Sequence, residues 1–185
     1  MADRDLLTAK ISRGFDHLDL DGDGQLTEHD HVLMGWRVAA SLGYAEGSPA
    51  ERRIVDAYLH IWRDLHLPHI PDGGTAISRE RFLTSTRTLA DNPVAARATL
   101  GALAEAFLAI ADRDNDGQIG PAEFLGFQRG HFPMLSQNDV DEAFAHLDRD
   151  GDGYLSATEV TEAIVEFWSS TDPDAPGNWW MGRPT

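Results

Sequence analysis

The sequence contains no cysteine, which removes disulfides, thiolate metal sites and cysteine catalysis from consideration. Lysine is almost as scarce: Lys10 is the only one, and the other basic residues are arginines. Positive charge as a whole is short, with 15 Lys and Arg against 31 Asp and Glu and a formal charge of −16. So acidic a chain lacks the basic face that nucleic acid or an anionic membrane requires. No uninterrupted apolar run of about 18 residues stands out, so no membrane span is expected. The opening stretch, MADRDLLTAK, has no apolar segment of signal-peptide length, and Ala2 stands where N-myristoylation requires glycine. A cytoplasmic protein is the expectation. GxSxG, HExxH, phosphate-loop and GxGxxG-plus-strand patterns are all missing, so an enzyme has nothing to stand on and none is expected.

What is present is a repeat. The segments DLDGDGQLTEHD (Asp19–Asp30), DRDNDGQIGPAE (Asp112–Glu123) and DRDGDGYLSATE (Asp148–Glu159) share one plan. Each has Asp at positions one, three and five, Gly at six, Leu or Ile at eight, and a carboxylate at twelve. Unit charges of one sign about 4 Å apart repel by about 4 kcal/mol at an effective dielectric near 20, so such a segment needs a cation to close on. The long gap between the first two segments holds a degenerate fourth, IPDGGTAISRER (Ile70–Arg81). It keeps Ile77 at position eight but has Ile70 at one and Arg81 at twelve, and is expected to bind nothing.

Helix signals bracket these loops. Ser48-Pro49-Ala50-Glu51 reads as a capping box opening a helix to about His66. Ser78 caps a helix to about Ala90, and Asn92-Pro93 starts another to about Ala111. Ser136 with Asp139, and Ser156 with Glu159, cap the helices on either side of the last loop. The fold class expected is all-α: four EF-hand helix–loop–helix units in two packed pairs, compact, with a non-helical C-terminal tail. The expected division is residues 1–91, 92–168 and a tail over 169–185. The adjacent Trp179 and Trp180 of that tail are expected to fill the apolar cup of the helix pairs. Trp36, Trp62, Trp168, Phe15, Phe82, Phe107 and Phe144 sit at helical spacings and read as core. The clustered histidines His60, His66 and His69, with His29 and His31, read as exposed or capped.

The loop pattern is that of the EF-hand, and each position has a chemical reason. Ca2+ takes six to eight oxygens at about 2.3–2.6 Å, which alternating carboxylates supply. Gly at position six makes a turn that a Cβ would obstruct. Position seven offers its backbone carbonyl, so Gln25, Gln118 and Tyr154 serve equally. Position twelve closes the sphere with a bidentate carboxylate. Position eight places Leu26 opposite Ile77, and Ile119 opposite Leu155, in short antiparallel ribbons. Asp30 is one methylene shorter than Glu, so the first loop is expected to hold Ca2+ more weakly or to admit Mg2+ in its place. Three divalent ions would bring the formal charge of −16 to −10.

With three working loops and a silent second one, the chain resembles the sarcoplasmic calcium-binding proteins, and in particular the calerythrin group of actinobacteria. The tail APGNWWMG (Ala175–Gly182) is similar to the ending of that group. Carried over residue by residue, the resemblance implies three ligand sets: Asp19, Asp21, Asp23, Gln25 and Asp30; Asp112, Asp114, Asp116, Gln118 and Glu123; and Asp148, Asp150, Asp152, Tyr154 and Glu159. It also implies a monomeric cytosolic Ca2+ buffer or transporter. Sparse methionine fits a buffer better than a sensor. A sensor that grips a partner protein is the alternative. A photoprotein-like or luciferin-binding-like carrier, with His146 and Trp168 lining a cavity, ranks third.

Overall fold

The structure, a computed structural model, describes residues 2–184. In chain order the elements are α1 (Ala2–Leu18), β1 (Gln25–Thr27), α2 (Glu28–Ser41), α3 (Pro49–His60), β2 (Ala76–Ser78) and α4 (Arg79–Arg87). The second half follows with α5 (Pro93–Ala111), β3 (Gln118–Ile119), α6 (Pro121–His131), α7 (Gln137–Leu147), β4 (Leu155–Ser156) and α8 (Ala157–Ser169). Four helix–loop–helix units are thus laid end to end, and the fold is all-α apart from two minimal ribbons. β1 pairs antiparallel with β2 and puts Leu26 opposite Ile77; β3 pairs with β4 and puts Ile119 opposite Leu155. Both ribbons carry the expected position-eight pair.

The caps follow the local sequence. Ser48, Ser78, Ser136 and Ser156 each accept a backbone N–H three residues on. Asn92 does the same for α5. One arm differs from expectation. Glu51 accepts from the N–H of Gly47 at 2.6 Å rather than closing the box on Ser48. The helix begun at Ser48 runs on to His66 as expected, but its end, Ile61–His66, widens into a π-helical turn. A wider turn of this kind shifts the side chains that follow it, here Trp62, Leu65 and His66.

The two pairs are not separate lobes. α2 packs on α3 and α6, α5 packs on α8, and α1 lies against both α4 and α8. Ile11, Phe15, Leu26, Ile119, Phe124 and Phe167 are wholly buried where they meet. Each such side chain stabilises the fold by about 1.5–3 kcal/mol. Arg37 fastens α2 to the end of α6: its Nε donates to Gly130 O at 2.6 Å and its Nη2 to His131 O at 2.8 Å. A cation on the last carbonyls also suits the negative end of the helix dipole.

α5, at 19 residues, passes by length and composition alone for a helix that could cross a membrane. In the fold it packs against α8 and buries Ala96, Leu100, Ala104, Ile110 and Ala111. Two expectations need correction. Trp36 is not core but about half exposed, because its neighbours on the inward stripe of α2 are Met34, Val38 and Ala39. The tail is not free of helix: Pro176–Trp179 forms a single 3-10 turn against α7 and α8. That turn drives Trp180 into the core, 3% exposed, among Phe107, Phe124 and Phe127.

Candidate functional site

The three acidic loops fold alike. In each, carboxylate oxygens from positions one, three and twelve converge to within 4.8 Å: Asp19, Asp21 and Asp30; Asp112, Asp114 and Glu123; Asp148, Asp150 and Glu159. The convergence is built by the backbone. Asp19 accepts from the N–H groups of Asp23 and Gly24, and Asp112 from those of Asp116 and Gly117. Asp148 accepts from those of Gly151 and Gly153. The position-six glycines make this possible, with φ of 81° at Gly24, 87° at Gly117 and 90° at Gly153. The position-five residues Asp23, Asp116 and Asp152 lie outside the tightest cluster. Each accepts from the N–H of position seven, at 2.8 Å from Gln25, 2.9 Å from Gln118 and 2.8 Å from Tyr154. Gln25 and Gln118 stand in β1 and β3, while Tyr154 precedes β4 with its ring partly exposed.

The position-twelve carboxylate does two jobs. One oxygen accepts from the position-nine residue as the returning arm of a capping box: Asp30 from Thr27, Glu123 from Gly120, Glu159 from Ser156, all at 2.8–2.9 Å. The other accepts from position two: Asp30 from Leu20 N at 3.0 Å, Glu123 from Arg113 N at 2.7 Å, Glu159 from Arg149 N at 2.8 Å. Asp30 therefore reaches the same two partners as the longer Glu. Burial pushes the Glu159 carboxyl up, but hydrogen bonds from Ser156 and Arg149 outweigh it and the net shift is downward. Glu28, at position ten of the first loop, faces outward to Arg63 at 3.8 Å. Clustered, hydrogen-bonded carboxylates are the hard oxygen donors that Ca2+ and Mg2+ take. The degenerate loop offers no such cluster among the described residues. Asp72 adopts a left-handed φ of 59° there, and Arg81 serves only as a helix residue capped by Ser78.

Behind the loops the helices enclose a cavity of about 430 Å³. Its wall has aromatic surface from Tyr58, Phe82, Phe107, Phe127, Trp168 and Trp180. It also carries five histidines the sequence reading left outside any site or placed on the surface: His17, His31, His66, His69 and His131. His31 is 3% and His131 6% exposed. His17 stacks on Phe132 at 4.1 Å, and His66 meets His31 edge-on at 5.1 Å. Burial lowers His17, His31, His66 and His131, the last two to about 3, so these four imidazoles are neutral at pH 7. His131 accepts from Tyr58 Oη–H through Nε2 at 2.9 Å while its Nδ1–H donates to Phe127 O at 3.1 Å. His31 Nδ1–H donates to Thr27 O at 2.8 Å, which leaves Nε2 as an acceptor. Of the residues expected to line a cavity, Trp168 does; His146 instead stacks on Trp179 at 3.9 Å outside it.

Comparison with known proteins agrees with the loops. The model of the EF-hand domain pair matches residues 125–162, and a second EF-hand model matches residues 104–127. Calerythrin of Saccharopolyspora erythraea is 24% identical over 85% of this chain and 89% of its own length. Obelin of Obelia geniculata is 28% identical over 92% of this chain and 87% of its own. A coelenterazine-binding protein from Renilla muelleri, solved in the calcium-loaded apo form, superposes with a TM-score of 0.81 at 21% identity, covering 98% of this chain and 97% of that one. The chain is a calcium-binding EF-hand protein, and it is similar to calerythrin and to the sarcoplasmic calcium-binding proteins.

Against the EF-hand loop pattern the local departure of this chain is Asp30 in place of the closing Glu. The acidic clusters were visible as a linear pattern. The cavity histidines were not, since His17, His31, His66 and His131 come from four helical segments with no common spacing. The one available signal was that each falls on the inward stripe of its helix, beside Phe15, Met34, Trp62 and Phe127 respectively.

Proposed function

We propose that this protein is a calcium-dependent carrier of a small organic molecule, with three Ca2+ ions in the loops and the molecule in the central cavity. The observation that carries this reading is the position of the cavity on the helices that flank the acidic loops. His17 stands two residues before Asp19, and His31 directly follows Asp30. Gln128 and His131 lie on α6, which leaves the loop closed by Glu123, and Trp168 lies on α8, which leaves the loop closed by Glu159. Ions that fix the angle between helices therefore fix the shape of the cavity. At about 430 Å³, with a mainly apolar wall, it has the size and character of a small-molecule site.

The proposed ligand set in each loop is the one at positions one, three, five, seven and twelve. The first loop, closed by Asp30, is the one proposed to admit Mg2+. Linkage gives the test. If the two sites are coupled, the molecule tightens or loosens calcium binding by the same factor that calcium changes its own affinity. Calorimetric titration of Ca2+, with and without saturating coelenterazine as probe, is expected to count three ions per chain and to show shifted affinity with the probe present. Unchanged calcium affinity, or no heat of probe binding in any calcium state, would overturn the carrier reading.

A second reading, a cytosolic calcium buffer, draws on the tail. Lys10 and Arg13 of α1 hold Ser170, Asn178 and Met181 through direct hydrogen bonds, so the core stays closed from within. A buffer would gain little apolar surface when Ca2+ replaces Mg2+, and a hydrophobic dye would bind equally in both states.

A further inference from the structure

Three histidines meet at one corner of the cavity, behind the degenerate second loop. His31 comes from α2, and His66 and His69 from the segment between the π-helical turn and Ile70, where that loop begins. The His31 and His66 rings lie 5.1 Å apart, centre to centre, at 73°. Two imidazoles that share one tetrahedral ion, each nitrogen about 2.0–2.1 Å from it, have their ring centres about 5 Å apart. His31 is already set as a ligand. Its Nδ1–H donates to Thr27 O at 2.8 Å, and its Nε2 is buried with no partner among the described residues. A backbone carbonyl on the far nitrogen is the arrangement that fixes tautomer and ring in metal-bound histidines. His66 ends the π-helical turn Ile61–His66. Such turns are rare and concentrate at functional sites.

We propose that His31, His66 and His69 form a site for a divalent transition-metal ion of the Zn2+ class, separate from the three acidic loops. Imidazole is the donor such ions prefer, whereas Ca2+ takes hard oxygens, so the two kinds of ion are sorted by ligand. His69 is exposed and still lines the cavity. It therefore stands at the mouth, where an ion enters and where water completes the sphere. Among the described residues only the acidic loops gather three ligand atoms within 4.8 Å, so the histidine site closes when His69 turns inward onto the ion. Neutral imidazoles leave the ion its full charge, which nearby carboxylates offset. Asp30 and Glu28 act on the His31 ring with the sign that favours a cation, and the formal charge of −16 adds to the attraction. The ion ties α2, which leaves the first loop, to the segment that enters the degenerate one.

The test is titration of the calcium-saturated full chain with Zn2+ by calorimetry and with Co2+ by visible absorption. Excess Ca2+ keeps the oxygen sites filled. One Zn2+ per chain is expected, and Co2+ is expected to give the intense bands of a four-coordinate site rather than the faint ones of a six-coordinate oxygen site. His69→Ala, at an exposed position, is expected to weaken Zn2+ by more than the about 10–100-fold that loss of an outer-shell partner costs. His66→Phe keeps a ring against Trp62 and Phe82 and should weaken it as much. His60→Ala is the control: that ring is held by Asp56 O away from the cavity, and its loss should leave the affinity unchanged. In nitrogen-edited NMR of the unaltered protein, Zn2+ should shift His31 Nε2 and leave His131 Nε2, which is engaged by Tyr58, in place. No Zn2+ bound in the presence of excess Ca2+, a six-coordinate cobalt spectrum, or an affinity indifferent to His66 and His69 would overturn the site. No organic probe is present in these titrations, so their failure would leave the carrier reading standing.

Discussion

Arg149 donates to Glu166 Oε1 at 2.7 Å, and through this pair the last acidic loop is joined to the tail. Arg149 is position two of that loop, and its own backbone N–H is held by Glu159 at 2.8 Å. The other oxygen of Glu166 accepts from Gly177 N at 2.8 Å. Three hydrogen bonds thus run from the closing carboxylate of the loop to the turn that seats Trp180. The Arg149–Glu166 pair is partly exposed, so its Coulomb energy is worth about 0–1 kcal/mol and its value lies in position.

Gly177 is where that join is most easily broken. A Cβ there would stand 2.5 Å from Ala163 O and 2.5 Å from Glu166 Cβ, a contact only displacement of the turn can relieve. Gly177→Ala is expected to destabilise the calcium-loaded protein by about 1–3 kcal/mol, the range for forced overpacking. It should also redden tryptophan emission as Trp180 leaves its pocket. An unshifted spectrum with unchanged melting would show that the turn is not held against α8.

Lys10 fixes the other side of the tail. Its ammonium donates to Glu166 O at 3.0 Å, Ser170 O at 2.8 Å and Asn178 Oδ1 at 2.8 Å, using all three hydrogens. Burial lowers it to about 8, against the opposing pull of Glu166 and Asp172, so it is mostly charged at pH 7. Lys10→Met keeps the stem but leaves Ser170 O and Asn178 Oδ1 without the ammonium they accept from, while Glu166 O keeps the N–H of Ser170. A loss of about 2–4 kcal/mol in denaturant unfolding is expected. A loss below about 0.5 kcal/mol would mean that water replaces the ammonium without cost, and that the strap is not structural.

How much of this was legible follows from the range of the interactions. The loops, their caps and the Leu26–Ile77 and Ile119–Leu155 pairs are set by residues within a dozen positions of one another or by a two-residue register, so the pattern was complete in the sequence. Burial of Trp180 was legible from composition, because adjacent tryptophans have no stable place in water. Lys10 and Asn178 were not, since they lie 168 residues apart and nothing local marks either as a partner. The cavity was hidden for the same reason. A histidine on the inward stripe of a helix reads the same whether it is packed or lines a void, and the difference rests on helices brought together from both halves. Trp36 shows the converse: helical spacing alone placed it inward, but the stripe that α2 buries passes it by.

Asp30 gives a prediction about the ions. Its two oxygens already meet Leu20 N and Thr27 N, so the first loop is closed to Asp length. A loop closed by the shorter carboxylate favours the smaller cation, which prefers six oxygens at about 2.0–2.1 Å. In a Ca2+ titration with Mg2+ present, one site of three is expected to weaken most, and Asp30→Glu to restore it toward the other two. Asp30→Ala should remove that site and lower the stoichiometry from three to two. If Asp30→Glu weakens Ca2+ further, the loop is too tight for the longer side chain and the argument from length is wrong.

The neutral histidines set a pH dependence of stability. Burial, reinforced by the neighbouring His31 and His69, lowers His66 to about 3, against 6.5 for the free side chain. Burial lowers His131 to about 3 as well. Both folded-state values lie below the unfolded ones, so the unfolded chain binds more protons anywhere between about pH 3 and 6.5. Stability is therefore full above 6.5 and is lost as the pH falls through this window. At pH 5 each histidine is expected to have cost about 2 kcal/mol. Carboxylate protonation, which also weakens ion binding, belongs mainly to lower pH, so the interval from 7 to 5 isolates the imidazoles. Urea unfolding at saturating Ca2+ should show the loss in the unaltered chain. His66→Phe keeps a ring against His31, Trp62 and Phe82 while removing one titrating group, so its loss over the same interval should be smaller by about 2 kcal/mol. Equal slopes for the two proteins would mean that His66 already meets solvent through the cavity and gains its proton without unfolding.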